Sequence, residues 1–528
     1  MEYDEGGGLS AVTTPRGHKY SFLLQPSILH NRFMFTPPGT PRHPYQLLYT
    51  DDGKLLAQVL PQQAGRVVYK YDDAGRLQHQ IFGHGSIEYG YYTETGLLRY
   101  VTLRELGYEQ RIDNKYHAGL IKEQRIRYGP AVGQSAARMM FMYDGNARPR
   151  RVDIEIDGKK ILNYETKYDM TLGTLDSIAD LKMSTSFHNR TVIQDARKTM
   201  LRVTSYDVYG RLVESSMTLR SRLVHRSKYS YDSLGRLASK STWRGPGTQE
   251  YLFNYTYTPD GFLQNVDGSE NWQFRYDDNG NMIAVVEGGR EITATYDASD
   301  RLLSWGDMEL NTYDSAGRVV QQGETQFAFT AKGNIRHAWQ QKKGKHVTYR
   351  YDYKGRLTAL EDKQGNITQF FYADIKRPNL PTHIHYPKSG FTHNLLYDER
   401  GHLLALQTET GRLWVSSDHM GSPLAVFDSS GIMIKEITRS PWGETLKDTN
   451  PSIKLYVDFH GGIRDPVFGL VMFGLYAYDP MHCQWLSPRF DQIPSVPQHV
   501  PAIYMHRYSN NNPVNPPLMK GRHNTGNY

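Results

Sequence analysis

Val347-Thr348-Tyr349-Arg350-Tyr351-Asp352-Tyr353-Lys354-Gly355-Arg356-Leu357-Thr358-Ala359-Leu360 decides the fold of this chain. Val347, Tyr349 and Tyr351 alternate with other residues, and so do Leu357 and Ala359. A period of two is that of a strand with one buried face. Between the two runs, Asp352 is placed to accept a backbone N–H two residues on, which starts a turn. Gly355 supplies the φ > 0 position that a hairpin loop of three to five residues needs. Leu357 re-enters the sheet. The stretch reads as a β-hairpin.

Working outward, the same bend recurs. Tyr-Asp-x-x-Gly-(Arg, Asn or His)-apolar begins at Tyr71 (with Asp72 and Gly75), Tyr206, Tyr231 (Asp232, Gly235), Tyr276 (Gly280), Tyr313 (Gly317), Tyr351 and Tyr397. With 38 Tyr and 34 Asp in 528 residues, chance gives between two and three Tyr-Asp pairs, and there are twelve. Relaxed copies begin at Tyr3, Tyr49, Tyr92, Tyr257, Phe329 and Phe427, and Tyr296-Asp297 is a copy with Asp300 in the Gly place. Tyr116, Tyr143 and Tyr168 read as degenerate copies. Second turns fall between, as at Gly83-His84-Gly85, Glu287-Gly288-Gly289 and Lys363-Gln364-Gly365-Asn366. A fixed repeat of this length is read before any other feature. The fold class is therefore all-β: a long antiparallel meander of hairpins, about 26 strands by this spacing. An open sheet of more than about ten strands does not stay flat. It must spiral inward, layer, or enclose a cavity. A β-propeller would need a doubled period of about 40–50 residues, which the sequence lacks.

Composition narrows the function. Charged residues are 22% and the net charge is 62 − 55 = +7, small for this length and no argument for nucleic acid or a membrane surface. The one cysteine, Cys483, excludes a disulfide framework and a Cys-rich zinc site. The longest apolar run, Gly469 to Tyr478, is far short of the ~20 residues of a spanning helix, and Met1-Glu2-Tyr3-Asp4 is no secretory signal. No Gly-x-Ser-x-Gly, His-Glu-x-x-His, phosphate-binding loop or EF-hand pattern occurs. We therefore expect no catalytic residue, no cofactor and no metal. His383 and His385 share one side of a strand but lack a third ligand, so a plain surface pair is expected. Cys483 is expected as an inert buried thiol. The recurrent Arg after Gly is expected as a solvated edge charge that discourages sheet-to-sheet pairing, and the tyrosines as packing residues rather than a glycan platform. Sequons stand at Asn189, Asn254 and Asn366, the number chance gives.

The C-terminal part carries a resemblance. Asp418-His419-Met420-Gly421-Ser422-Pro423-Leu424, Trp442-Gly443-Glu444, Phe459-His460-Gly461-Gly462, Tyr478-Asp479-Pro480, Trp485-Leu486-Ser487-Pro488 and Asn511-Asn512-Pro513 stand in the order of the Rhs-associated core. Together with the repeats they resemble the YD-repeat proteins, the Rhs and teneurin families. Phe371-Tyr372-Ala373-Asp374 and Lys447-Asp448-Thr449-Asn450-Pro451 are closer to animal teneurins than to bacterial toxins. The resemblance implies a β-shell spiralling round an interior, with Asp418, His419, Gly421, Pro423, Tyr478, Asp479, Pro480, Trp485, Pro488, Asn512 and Pro513 in the segment that seals it. It divides the chain into 1–48 (partial repeat and Pro-containing loop), 49–411 (YD-repeat shell), 412–517 (Rhs-associated core) and 518–528 (linker). It implies a non-enzymatic extracellular scaffold of a single-pass cell-surface adhesion protein of neurons. That protein would bind latrophilin-type receptors, dimerise through regions outside this chain, carry N-glycans at Asn189, Asn254 or Asn366, and bind no nucleic acid. The chain is read as a piece of a longer protein. The alternatives are a shell that encapsulates a C-terminal toxin domain, or a glycan-binding module. Bacterial Rhs cores end in a self-cleavage motif with Asp directly after the Ser-Pro-like segment. Here Arg489 holds that place, and the next Asp is Asp491. No self-cleavage is expected.

Overall fold

The computed structural model describes residues 1–26, 30–39, 44–129, 136–161, 163–171, 173–186, 190–489 and 505–515. Forty-eight strands lie among them, joined by turns and three short 3-10 segments. Almost every strand pairs antiparallel with the next in sequence, from Glu2–Tyr3 to Met308–Glu309 and again from Asn311–Tyr313 to Thr445–Asp448. A four-stranded sheet follows, Ile463–Arg464, Val471–Phe473, Tyr476–Asp479 and Gln484–Trp485. The meander is the one the repeat predicts, with more strands than its spacing suggests. Within the part read as a partial repeat and Pro-containing loop, Leu9–Thr13, Lys19–Gln25, Asn31–Thr36 and Tyr45–Tyr49 belong to the sheet.

One turn is used over and over. At Asp352 the backbone N–H donates to Arg356 O and Gly355 N–H donates to Asp352 O. Asp352 Oδ1 accepts the N–H groups of Lys354 and Arg356 at 2.9 and 3.0 Å, and Oδ2 accepts Arg356 Nε at 2.7 Å. Gly355 has φ +81°, and the ladder slips by one residue at Tyr351, which faces Leu357. The same bonds recur at Asp72, Asp144, Asp207, Asp232, Asp297 and Asp314. The recurrent Arg is thus no solvated edge charge. It closes its own turn, and its guanidinium lies over the next repeat's ring: Arg76 on Tyr91 at 4.6 Å, Arg211 on Tyr231 at 4.6 Å, Arg236 on Tyr257 at 4.5 Å, Arg356 on Tyr372 at 4.5 Å. That ring's hydroxyl donates back to the carbonyl just after the Arg: Tyr91 to Leu77 O, Tyr231 to Leu212 O, Tyr257 to Leu237 O, Tyr313 to Leu302 O. Each repeat is therefore locked to the one before it.

The irregular copies obey the same rule with different residues. Tyr91, not Tyr92, takes the ring position. Ala147 (φ 59°) and Asp300 (φ 57°) stand in the Gly place. Tyr116 keeps its bond to Leu98 O although Ala118-Gly119 has replaced the long turn by a two-residue bend with both φ positive. Asp362-Lys363-Gln364-Gly365-Asn366, read as a different second turn, is another Asp turn, with Asn366 in the Arg place.

The ribbon winds inward. Contacts between successive windings join Tyr20 to Asp300, 280 residues apart; Ser315 to Pro61, 254 apart; Tyr164 to Asp374, 210 apart; Arg202 to Asp398, 196 apart; and Arg244 to Glu436, 192 apart. The chain length per winding falls steadily, as in a spiral that tightens. Burial agrees. Strand Tyr108–His117 of the first winding alternates between buried and half-exposed positions. Leu403, Leu404, Ala405 and Leu406 are all at most 2% exposed, and Pro423–Phe427 is buried throughout, as expected of strands covered on both faces. Phe371, Leu404, Ala405, Trp414, Ala425 and Phe427 pack into the core of strands 67–224. Leu395, Leu403, Leu406, Val415 and Val426 pack on the other side against the C-terminal residues Leu455 to Leu486.

Candidate functional site

The residues expected to seal the shell do converge inside it. Asp418 begins another copy of the Asp turn: its Oδ1 accepts the N–H groups of Met420 and Ser422, both at 2.9 Å. Ser422 fills the Arg place, so no guanidinium meets Oδ2. Lys240 of the first winding faces it instead, with Nζ at 3.7 Å. Burial pushes the Asp418 carboxyl up, but Lys240 and the neighbouring imidazoles outweigh it and hold it far below the carboxylate range. His419 Nε2 lies 2.7 Å from Val514 O, so Nε2 carries the proton and Nδ1 faces inward as an acceptor. His460 Nδ1 lies 2.7 Å from Tyr508 OH, and its backbone N–H donates to Ser422 Oγ. Burial lowers His419 to about 4 and His460 to about 3.

Beside these groups lies an aromatic stack. The Tyr478 and Tyr508 rings are stacked at 4.0 Å with their planes inclined by 27°, with Trp485 5.6 and 5.2 Å from them and Phe459 stacked on His460 at 3.7 Å. Tyr478 OH donates to Trp442 O, and Trp485 Nε1 to Arg507 O. Asp479 is buried against His482 at 2.5 Å, Pro480 O lies 3.9 Å from the Cys483 thiol, and Pro423 O accepts from Arg439. At Gly421 a Cβ would come within 2.8 Å of His402. Pro488 packs on Gly317 and Leu475 on Gly355, where a Cβ would meet them at 3.1 and 1.9 Å. The C-terminal block therefore packs on the repeat glycines themselves. Three asparagines extend this pattern. Asn511 Nδ2 donates to Gly280 O, Asn512 Nδ2 to Gly261 O, and Asn515 Oδ1 accepts Leu237 N–H. Each reads one of three successive repeat turns, begun by Asp232, Thr258 and Asp277, and Pro513 is buried between them. By contrast Tyr71, Asp72, Gly75, Tyr231, Asp232, Gly235, Tyr276, Tyr313, Tyr351 and Asp352 lie along the ribbon as repeat positions and do not meet at one place.

Other expectations change. His383 and His385 are 0% and 5% exposed, not a surface pair, and bond to Thr382 and Thr392. The strand that carries them lies in the inner winding, which no local pattern reveals. Among the described residues no group of His, Cys, Asp or Glu could hold a metal ion. Cys483 is half-buried, and burial raises its thiol. Asn189, Asp491 and residues 518–528 lie outside the described residues. Sequence reasoning missed Lys240, Arg244, Glu436 and the Arg202–Asp398 pair. Lys240 faces the buried Tyr229 across its strand pair, so it is a lysine in the inward phase of an amphipathic strand. Phase was the one available signal.

The comparisons with known proteins follow this geometry. A family model described as Teneurin YD-shell matches residues 1–514. The chain belongs to the teneurin YD-shell family. Teneurin-m of Drosophila melanogaster is 38% identical over 516 residues, which cover 98% of this chain and 19% of that protein. Teneurin-4 of Mus musculus is 30% identical over 526 residues, covering 97% of the chain and 18% of that protein. The chain spans about a fifth of the length of these teneurins. Among solved structures, the complex titled TcdB2-TccC3-Cdc42 aligns with a TM-score of 0.68 at 15% identity, over 97% of this chain and 33% of that one. TcdB2-TccC3 aligns with a TM-score of 0.67 at 14% identity, over 97% and 34%. At such identities the likeness is one of fold. The teneurin YD-shell is a structural shell rather than a recognised enzyme family. No helix among the described residues is long and apolar enough to cross a membrane.

Proposed function

We propose that this YD-shell serves as a non-catalytic extracellular scaffold in a single-pass, teneurin-like adhesion protein that acts in cell–cell recognition during neuronal development. The observation that carries the reading is the match to teneurins along almost the whole chain, joined to an interior filled by the chain's own C-terminal block. The rigid wall presents its outer face to receptors of the latrophilin type on an apposed cell, and dimerisation lies with other parts of such a protein. Cells displaying the full-length protein should aggregate with cells displaying a latrophilin-type ectodomain. Aggregation that persists after this shell is deleted would overturn its role.

The rival reading, a shell that releases a cargo, has a specific observation against it. Arg489 stands where self-cleaving relatives carry Asp, and its guanidinium lies 4.7 Å over Tyr476 and 5.2 Å over Trp485. A cation stacked on rings supplies no carboxyl for acid–base cleavage. Intact-mass measurement of the expressed chain should give one uncut species, and a cut next to Pro488 would favour the cargo reading.

Glycosylation is expected to favour one sequon. Asn254 and Thr256 both lie on the exposed side of their strand. Asn366 Nδ2 is held by Asp362 in its turn, and Thr368 is buried against Tyr456. Glycopeptide mapping of protein secreted from animal cells should find Asn254 more fully occupied than Asn366. Equal or reversed occupancy would count against this ranking.

A further inference from the structure

A cavity of about 60 Å³ lies where three parts of the chain meet. Tyr20 and Tyr45 of the first strands close one side. The repeat turns that hold Gly280, Asp300 and Gly317 close another, and Gln484, Met505 and His506 of the C-terminal block close the third. Every lining residue is buried or half-buried.

The charged groups on this lining already have their partners. Asp300 accepts from Tyr20, Asn279 and Asn281. Asp297 holds Arg301, and Asp479 holds His482. Arg507 donates to Asn279 O. No lining charge therefore calls for a counter-ion. Gln484 is different. It is 5% exposed, and neither its Nε2 nor its Oε1 has a hydrogen-bond partner. Among the described residues that line the cavity, its amide is the one buried side-chain group left wholly unpaired. The nearby ring of His506 adds an acceptor. Its Nδ1 lies 3.2 Å from Trp485 O and so carries the proton, which leaves Nε2 its lone pair. Burial holds this ring near 4, so it stays neutral at pH 7.

The free polar groups are thus one N–H donor group beside one carbonyl, with an imidazole acceptor, among the apolar side chains of Met282, Leu302, Pro488 and Met505. A buried amide with unmade hydrogen bonds is costly. Water meets this need poorly. The cavity has room for about four waters at ~15 Å³ each, and each wants two to four polar partners. The free groups are too few to satisfy such a cluster. A carboxamide offers a carbonyl for Gln484 Nε2–H and N–H groups for Gln484 Oε1 and His506 Nε2, with no charge to bury. We propose that this cavity is a binding site for one small neutral carboxamide, paired edge to edge with the side-chain amide of Gln484. A short hydrocarbon group on that ligand packs against the apolar side chains.

The test uses the whole chain. A ligand that binds only the folded state raises the unfolding temperature saturably. Acetamide is the probe. Acetate, which has its shape but is charged and lacks N–H donors, and acetone, which only accepts, are the controls. Gln484→Met keeps the side-chain length and removes the amide. The expected result is a saturable rise with acetamide, weakened roughly tenfold or more in Gln484→Met and for either control. Crystals of the unsubstituted chain soaked in acetamide give a second readout that does not depend on a variant folding. Planar density within hydrogen-bond distance of Gln484 Nε2 and Oε1 supports the site. A cavity holding only water in the soaked crystals, equal effects of acetamide and acetone, or a shift unchanged by Gln484→Met would overturn it.

Discussion

Replacing Arg202 with Met should destabilise the shell by about 3–5 kcal/mol, the usual cost of stranding one member of a buried ion pair. Arg202 Nη1 lies 2.6 Å from Asp398 Oδ2, and the two side chains are 7% and 2% exposed. They sit on successive windings, 196 residues apart. Without the guanidinium, Asp398 keeps only the backbone N–H groups of its own turn, Arg400 and His402, with the His402 imidazole 3.7 Å away. The second substitution Asp398→Asn removes the stranded charge and retains an acceptor for those two bonds. The double variant should therefore recover part of the loss. Exposed ion pairs such as Lys19–Glu2 should cost about 1 kcal/mol or less when broken. Urea unfolding measures both. A loss below about 1 kcal/mol for Arg202→Met would show that the windings do not meet at this pair.

Acid should unfold the shell well before its carboxylates titrate. His225 and His460 are held near 3, and His419 and His506 near 4, chiefly because burial disfavours the charged ring. An unfolded histidine titrates near 6.5. Below that pH the unfolded chain binds protons that the folded one does not, so stability is complete above about 6.5 and falls as pH falls toward the folded values. At pH 5 each buried ring contributes a loss of about 2 kcal/mol, and four together about 8 kcal/mol, comparable with the whole stability of a typical domain. Depressed carboxylates act in the same direction but only at lower pH: Asp418 loses its contribution below about 3.8. Thermal melts from pH 7.5 to 4.5 should show a steep fall beginning near pH 6.5. Substituting His419 with Gln, whose amide can still donate to Val514 O, should flatten that fall. A flat profile down to pH 4.5 would contradict the buried, neutral assignment.

Much of the fold was legible because it is local. Tyr, Asp, Gly and the next apolar residue each act within one hairpin, and the motif marked those bends from Tyr71 to Tyr397. The role of the Arg was hidden because half of it lies in the next repeat, on a ring 12 to 21 residues away, as with Arg301 over Tyr313 and Arg236 over Tyr257. The C-terminal cluster was legible as a set of residues but not as an arrangement. Nothing near Asp418 in sequence indicates that Lys240 faces it, and nothing near Asn511 indicates Gly280. His383 and His385 were misread for the same reason. Their burial comes from a winding that crosses some 200 residues of chain. Local patterns carry period and turn chemistry, whereas the order of layers is set by contacts between distant repeats.

The claim on which the rest depends is that the ribbon's second winding tightens against the inside of its first. Lysine cross-linking with a short amine-reactive reagent, read by mass spectrometry, tests it most directly. Lys159 Nζ reaches within 3.8 Å of the Cβ position of Gly390, and Lys388 stands two residues away. Lys376 Nζ lies 4.2 Å over the Tyr168 ring, next to Lys167. A tightening spiral predicts monomer cross-links joining Lys159 to Lys388 and Lys167 to Lys376. If links occur only between neighbouring repeats, with none across some two hundred residues, the windings do not nest.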